Sequence, residues 1–313
     1  MNPNVNKQDI QYLRQETGAG IMACKNALLE AQGNLQQSIA ILHKKGFKAV
    51  EKRSEHTAAD GIAYAGVYGK QAVLVEVNTE TDFVAGNSQF IGYVEMIAHA
   101  VAVHSPADIA ALMQCLTVYQ DFTVGDLLQK MALTFGEKIV LRRFSILIGD
   151  MPIAYMHLKG KYGVILDLEV NSKWNENCLI GVGKELGMQI AAMAPLYVSR
   201  ARIDDETRDA VNMVIVQQVK DDGSLINKPP QVVDKIIAGR IEKYYRSKCL
   251  MEQAYIRNDK ITVKQFLQEA GAALGVKIEV KEFCRYERAE GLQIDEMSNT
   301  ELACQLSNRL SPS

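Results

Sequence analysis

The segment Thr79-Glu80-Thr81-Asp82-Phe83-Val84-Ala85-Gly86 sets an acid beside an aromatic between a run of strand formers and a helical pattern. Two readings compete for it. In one, Thr79, Thr81 and Asp82 cap the helix that follows, and Phe83 and Val84 fold back as a hydrophobic staple. In the other, Asp82 and Phe83 stand out from a rigid base as a wedge, an aromatic that enters a partner's crevice beside an acid that competes with phosphate or repels it. The second is preferred, because this loop mixes residues that do not serve burial in their own domain.

Catalytic signatures are otherwise absent or weak. An enzyme using Asp82 as acid or base needs a second polar group, and Glu80 is the only nearby candidate. His43, His56, His99, His104 and His157 are dispersed, and His99 and His104 fall on or after an amphipathic helix, where a structural histidine is expected. Gly181-Val182-Gly183-Lys184 lacks the spacer and the following Ser/Thr of a phosphate loop and reads as small-residue packing within a helix. Cys24, Cys115, Cys178, Cys249, Cys284 and Cys304 form no CxxC pair and suggest buried free thiols rather than zinc or disulfides. Trp174 reads as a loop anchor. These readings favour a protein without covalent chemistry, cofactor or metal. A ubiquitin-like or nascent-chain binding module in residues 1–50 is the rival non-enzymatic reading.

With 313 residues, 48% of them apolar, the chain can bury two cores. A net charge of −2 argues against a general nucleic-acid binder. Apolar runs are too short and too broken by charge to span a bilayer, and the first seven residues lack a signal-peptide core, so a cytoplasmic protein with no membrane partner is expected.

The segments on either side of the loop belong to a pattern that occurs twice. Ile62-Ala63-Tyr64, Gly69-Lys70 and Glu76-Val77-Asn78 return as Ile153-Ala154-Tyr155, Gly160-Lys161 and Glu169-Val170-Asn171. Thr123-Val124, Leu128-Gln129, Gly136, Lys138-Ile139 and Phe144 recur as Thr262-Val263, Leu267-Gln268, Gly275, Lys277-Ile278 and Phe283. Each copy reads as a hairpin, a helix, a further helix and a closing strand. The copies diverge after Glu-Val-Asn, where the second continues Ser172-Lys173-Trp174-Asn175, and function belongs where duplicated scaffolds diverge. Phe90, Val94, Ile97 and Val101 mark one buried stripe of the helix after the loop, capped by Asn87 or Ser88.

The expected fold is α+β. Residues 1–54 form a three-helix, ubiquitin-associated (UBA)-like bundle and linker, with Lys44, Lys45, Lys48, Lys52 and Arg53 crowding its end, read as a solvated linker in preference to a basic docking strip. Residues 55–150 form one core subdomain with a small antiparallel sheet, and 151–201 with 249–290 form its sister. Residues 202–248 insert an antiparallel helical hairpin, or coiled coil, with stripes at Val211, Val214, Ile215 and Val219 and at Val233, Ile236, Ile237, Ile241 and Tyr244. Residues 291–313 are a C-terminal tail.

The run Leu13-Arg14-Gln15-Glu16-Thr17-Gly18-Ala19-Gly20-Ile21-Met22-Ala23-Cys24-Lys25-Asn26-Ala27-Leu28 and the run Thr81-Asp82-Phe83-Val84-Ala85 resemble the hallmark motifs of the bacterial elongation factor Ts family. The resemblance extends over nearly the whole chain, including Phe283-Cys284-Arg285-Tyr286-Glu287. It implies a guanine-nucleotide exchange factor for elongation factor Tu. On that resemblance Thr81, Asp82, Phe83 and Val84 form the intruding loop, with Phe83 pushing between switch-region helices of the GTPase and Asp82 disturbing the surroundings of its magnesium ion. Met22 and Lys25 match the docking surface of the bundle, and Phe135-Gly136 a contact turn. Helix 184–194 resembles one that presses on the phosphate-binding region, with Gln189 where many relatives have histidine, so that an amide hydrogen bond would replace an imidazole one.

Overall fold

The computed structural model describes residues 5–52, 56–118, 122–171, 176–222 and 229–292. Ser172, Lys173, Trp174, Asn175, Arg53, Cys304 and most of the tail lie outside the described residues, as do the side chains of Lys48 and Lys52. The architecture is α+β, with helices flanking two small antiparallel sheets that pack against each other.

Helices α1 (Lys7–Thr17), α2 (Ile21–Glu30) and α3 (Leu35–Lys52) bury Leu13, Cys24, Ala27, Leu28 and Leu42 in a common core. Gly18 ends α1 in the left-handed region, at φ 71°, and a methyl group there would fall 2.0 Å from the hydroxyl of Thr134. This glycine therefore serves both the turn and the seating of the bundle on the helix that carries Thr134. Gly18→Ala is expected to destabilise the fold by about 1–2 kcal/mol through its left-handed backbone alone. Thermal unfolding checks it, and an unchanged midpoint would deny the glycine that role.

Strands β1 (Asp60–Tyr68) and β2 (Gln71–Thr79) form a hairpin. The short helix α4 (Asp82–Ala85) follows, then α5 (Ser88–His104), α6 (Ile109–Gln114) and α7 (Val124–Phe135), and β3 (Val140–Ile148) closes the sheet in the order β1-β2-β3. Asn87 caps α5, whose Phe90, Val94, Ile97 and Val101 are fully buried. Thr123 and Asp126 make a reciprocal capping box on α7.

The central strand β2 is buried on both faces, as a strand between two layers must be. Val73, Val75 and Val77 face the helices, whereas Ala72 and Leu74 face the other sheet.

Strands β4 (Pro152–His157) and β5 (Tyr162–Val170) form the second hairpin, followed by α8 (Glu176–Met193). Helices α9 (Asp205–Lys220) and α10 (Pro230–Lys248) come next, then β6 (Ala254–Tyr255), β7 (Asn258–Thr262), α11 (Val263–Leu274) and β8 (Ile278–Glu287), which closes the sheet as β4-β5-β8. Arg240 pairs with Asp222, and the Tyr245 hydroxyl donates to Asn212, contacts that place α9 and α10 antiparallel. The stripe expected on α9 is only partly internal. Ile215 and Val219 are buried, but Val214 is 57% exposed, and on α10 Tyr245 is buried while Tyr244 packs half-buried against the same cluster.

The two sheets repeat one another down to an irregularity. Val75 pairs with Phe144 and Leu166 with Phe283, and each closing strand then carries one extra residue, Arg142 or Lys281, beside Glu76 or Asp167. Strand register therefore equates Glu76 with Asp167, and the expected match of Glu76 to Glu169 is displaced by two residues. The displacement escapes notice in the sequence because a shift of two keeps every side chain on its face. The hairpin tips also differ: Tyr68 pairs with Gln71 across a two-residue turn, whereas His157 pairs with Tyr162 across a longer one.

Between the sheets Ala63, Ala65 and Ala72 oppose Ile165 and Tyr286. Gly163 is required at this seam, since a methyl group there would sit 2.5 Å from Leu74 and 2.6 Å from the carbonyl of Ala63. The buried Glu76 carboxylate accepts from Arg142 Nη1 at 2.9 Å, from Arg143 Nε at 2.6 Å and from the backbone N–H of Ala289 at 2.8 Å. Burial alone would lower the pKa of Arg143, but its bonds to Glu76 and Glu290 outweigh that and raise it. The cluster thus ties the end of β8 to the first sheet.

Candidate functional site

The loop after β2 is built on a single carboxylate. Glu137, just past the left-handed Gly136 that ends α7, accepts at Oε2 from the Thr79 hydroxyl at 2.6 Å and from the backbone N–H groups of Glu80 and Thr81 at 3.1 Å each. Its Oε1 accepts from the Thr81 hydroxyl at 2.6 Å. Glu80 reciprocates, accepting from the backbone N–H of Lys138 at 2.6 Å, with His56 Nδ1 3.0 Å from its other oxygen. Lys138 Nζ donates to the carbonyl of His56 at 2.9 Å. Segments 79–81 and 137–138 are therefore crossed by two carboxylates, each serving the other's main chain.

Thr81 also caps α4, accepting from the N–H of Val84. Val84 packs back on the first core and Ala85 is buried. The capping reading is thus true of Thr81 and Val84. It fails for Phe83, which is 86% exposed, and Asp82 beside it is exposed as well. An aromatic side chain left almost wholly in water, above a base held by hydrogen bonds, is the least self-serving feature of this surface.

The structure brings Phe135 and Gly136 to the same site. Phe135 is half-buried, edge-on to Phe90 at 5.9 Å and to Tyr93 at 6.4 Å, and Gly136 leads directly into the Glu137 clamp. Met22, 64% exposed, and Lys25, exposed, lie on α2 of the bundle. The bundle meets the core at α7, the helix that ends in Phe135 and Gly136.

Gln189 differs from its expectation. Its side chain is completely buried in α8, donating to Gln253 Oε1 and to the carbonyl of Ala254 at 3.1 Å each and accepting from the N–H of Ile256 at 2.8 Å. Gln253 in turn donates to the carbonyls of Met193 and Ser247. The amide that the sequence suggests for direct contact is spent inside the chain, where it holds the turn between β6 and β7 against α8. Gln189→Leu is expected to cost about 1–3 kcal/mol, because the N–H of Ile256 loses its acceptor while remaining part-buried. Denaturant unfolding measures it, and a neutral result would mean the turn is held by other contacts.

The sequence pattern does not single out Glu137. The signal for it is faint: two loop threonines need an acceptor, and a Gly-Glu pair follows a helix, but their separation along the chain hides the pairing.

His104 lies 3.0 Å from the carbonyl of Leu116, and His99 stands edge-on to Tyr68, both in keeping with structural roles. The described cysteines are free, with Cys24 and Cys249 buried and Cys178 exposed. Among the described residues no cluster of three metal-binding side chains occurs, and no helix is long and apolar enough to cross a membrane.

The family model described as elongation factor TS matches residues 80–290, from the clamp to the end of the closing strand region. The chain is 36% identical over 293 residues to a protein named elongation factor Ts from Clostridioides difficile, covering 93% of this chain and 94% of that one. It is 37% identical over 287 residues to the elongation factor Ts of Syntrophotalea carbinolica, covering 91% and 93%. A match of this length, spanning the exposed Asp82-Phe83 loop, both sheets and the paired helices, places the chain in the elongation factor Ts family.

Proposed function

We propose that this chain is a translation elongation factor that acts as a guanine-nucleotide exchange factor, promoting GDP release from elongation factor Tu by inserting the Asp82-Phe83 loop near the magnesium and phosphate site of that GTPase. The observation that carries the reading is Phe83, held 86% exposed on a loop whose base is clamped. Such a group gains nothing from its own fold and gains on entering an apolar crevice elsewhere.

An exchange factor makes and breaks no covalent bond. It binds the empty GTPase better than the loaded one, and by linkage it weakens nucleotide binding by the factor by which nucleotide weakens its own. Burying Phe83 contributes roughly 1.5–3 kcal/mol, about one to two decades of release. Loss of magnesium and phosphate contacts supplies the remainder, with Asp82 and the surface of α8 acting beside the wedge. In this reading Met22 and Lys25 on the bundle, the Phe135-Gly136 turn and the α9–α10 pair provide the contact that holds the wedge in place.

The test is to mix the purified chain with elongation factor Tu, with and without GDP. A complex that GDP weakens is expected. Equal binding in both conditions would contradict the proposal, since a ligand indifferent to nucleotide cannot displace it.

A further inference from the structure

We propose that Glu137 is a positioning residue for the Asp82-Phe83 loop, acting through Thr79, Thr81 and the intervening main chain rather than by touching a partner. The inference rests on the exchange reading above and deepens it.

Helix α4 is four residues long and cannot hold itself, because a single helical turn orders several residues for very few hydrogen bonds. Phe83 contributes little anchoring, being almost wholly exposed. Val84 and Ala85 hold the underside of the turn on the core, and Thr81 fixes its start, since its hydroxyl donates to Glu137 at 2.6 Å and accepts from the N–H of Val84. The carboxylate sets the threonine rotamer, the threonine sets the cap, and the cap sets where Asp82 and Phe83 stand.

The geometry also says why a carboxylate is needed. All four groups that face it, two hydroxyls and two backbone N–H groups, donate to it, and only an acid offers acceptors at both oxygens. An amide keeps one acceptor and turns a donor toward a hydroxyl that must then rotate. An aspartate is one methylene too short to span Thr79 and Thr81 together.

The experiment is stopped-flow release of a fluorescent GDP analogue from elongation factor Tu, with the full-length chain titrated to saturation. Loss of several charge-assisted hydrogen bonds predicts that Glu137→Ala lowers the maximal stimulated rate about tenfold or more. Its half-saturating concentration should stay within about threefold, because the contacts from the bundle and from the α9–α10 pair are untouched. Glu137→Gln should fall between Glu137→Ala and the wild type. Adding Phe83→Ala to Glu137→Ala should cost little more, because both act through one group.

A wild-type maximal rate in Glu137→Ala overturns the inference, as does full multiplication of the two losses. Should Glu137→Ala fail to fold by circular dichroism, Glu137→Gln decides alone, and a wild-type maximal rate in it has the same force. If the wild type accelerates release and Phe83→Ala does not, while the Glu137 variants behave as wild type, the positioning role fails and the exchange reading stands. If the wild type itself does not accelerate release, both fall.

Discussion

Phe83→Ala is expected to slow factor-stimulated GDP release by about 10- to 100-fold, the equivalent of roughly 1.5–3 kcal/mol of lost apolar burial in the partner. The same substitution should leave thermal stability within about 0.5 kcal/mol of the wild type, as is usual for an exposed site. This pairing of a large functional effect with a negligible structural one discriminates strongly. A core aromatic such as Phe90, which is fully buried, would lose about 3–5 kcal/mol of stability on the same change. Stopped-flow fluorescence with a GDP analogue and a thermal melt of the same sample make the measurement. Undiminished stimulation would remove the wedge from the mechanism, and a lowered melting point would show that Phe83 serves its own fold.

Glu76→Ala should lower stability by about 3 kcal/mol, toward the low end for breaking a buried ion pair because Arg142 and Arg143 retain some contact with water. Three donors lose their acceptor at once: two guanidinium groups and the backbone N–H of Ala289. The last of these matters for the architecture, because it docks the end of the second sheet's closing strand onto the first sheet. Arg288 adds a second tie across the same seam, paired with Asp60 at 2.9 Å. Denaturant unfolding followed by circular dichroism should show an earlier midpoint, with fraying of residues 287–292 in hydrogen exchange. A change below about 0.5 kcal/mol would mean that the cluster only balances its own desolvation.

The parts of this protein legible in its sequence are those whose cause is local. The stripe of Phe90, Val94, Ile97 and Val101 is a helical period facing one core, so it reads directly and is buried to the last residue. The pairs Thr123-Val124 and Thr262-Val263 read as a repeat, and each opens a helix, α7 or α11, with a capping box contained in four residues. Duplication was equally visible, since repeated glycine turns and closing strands leave their own pattern.

Long-range pairing was not legible. The Glu76 to Glu169 match maximises identity, but the strand register, set by the extra residues Arg142 and Lys281, equates Glu76 with Asp167. Gln189 sits where a helix pattern permits either a surface or a core residue. Only the turn at Gln253 to Ile256, more than sixty positions away, saturates its amide and draws it inside.

The family, the α+β class and the presence of an acid-aromatic loop between a strand and a helix are thus legible in the chain, because periodicity and motif identity are short-range properties. The exposure of Phe83, the hold of Glu137 on the loop base and the burial of Gln189 arise only on packing. Each of those outcomes depends on which distant hydrogen-bonding groups meet, and chain spacing does not encode that meeting until the two sheets have packed.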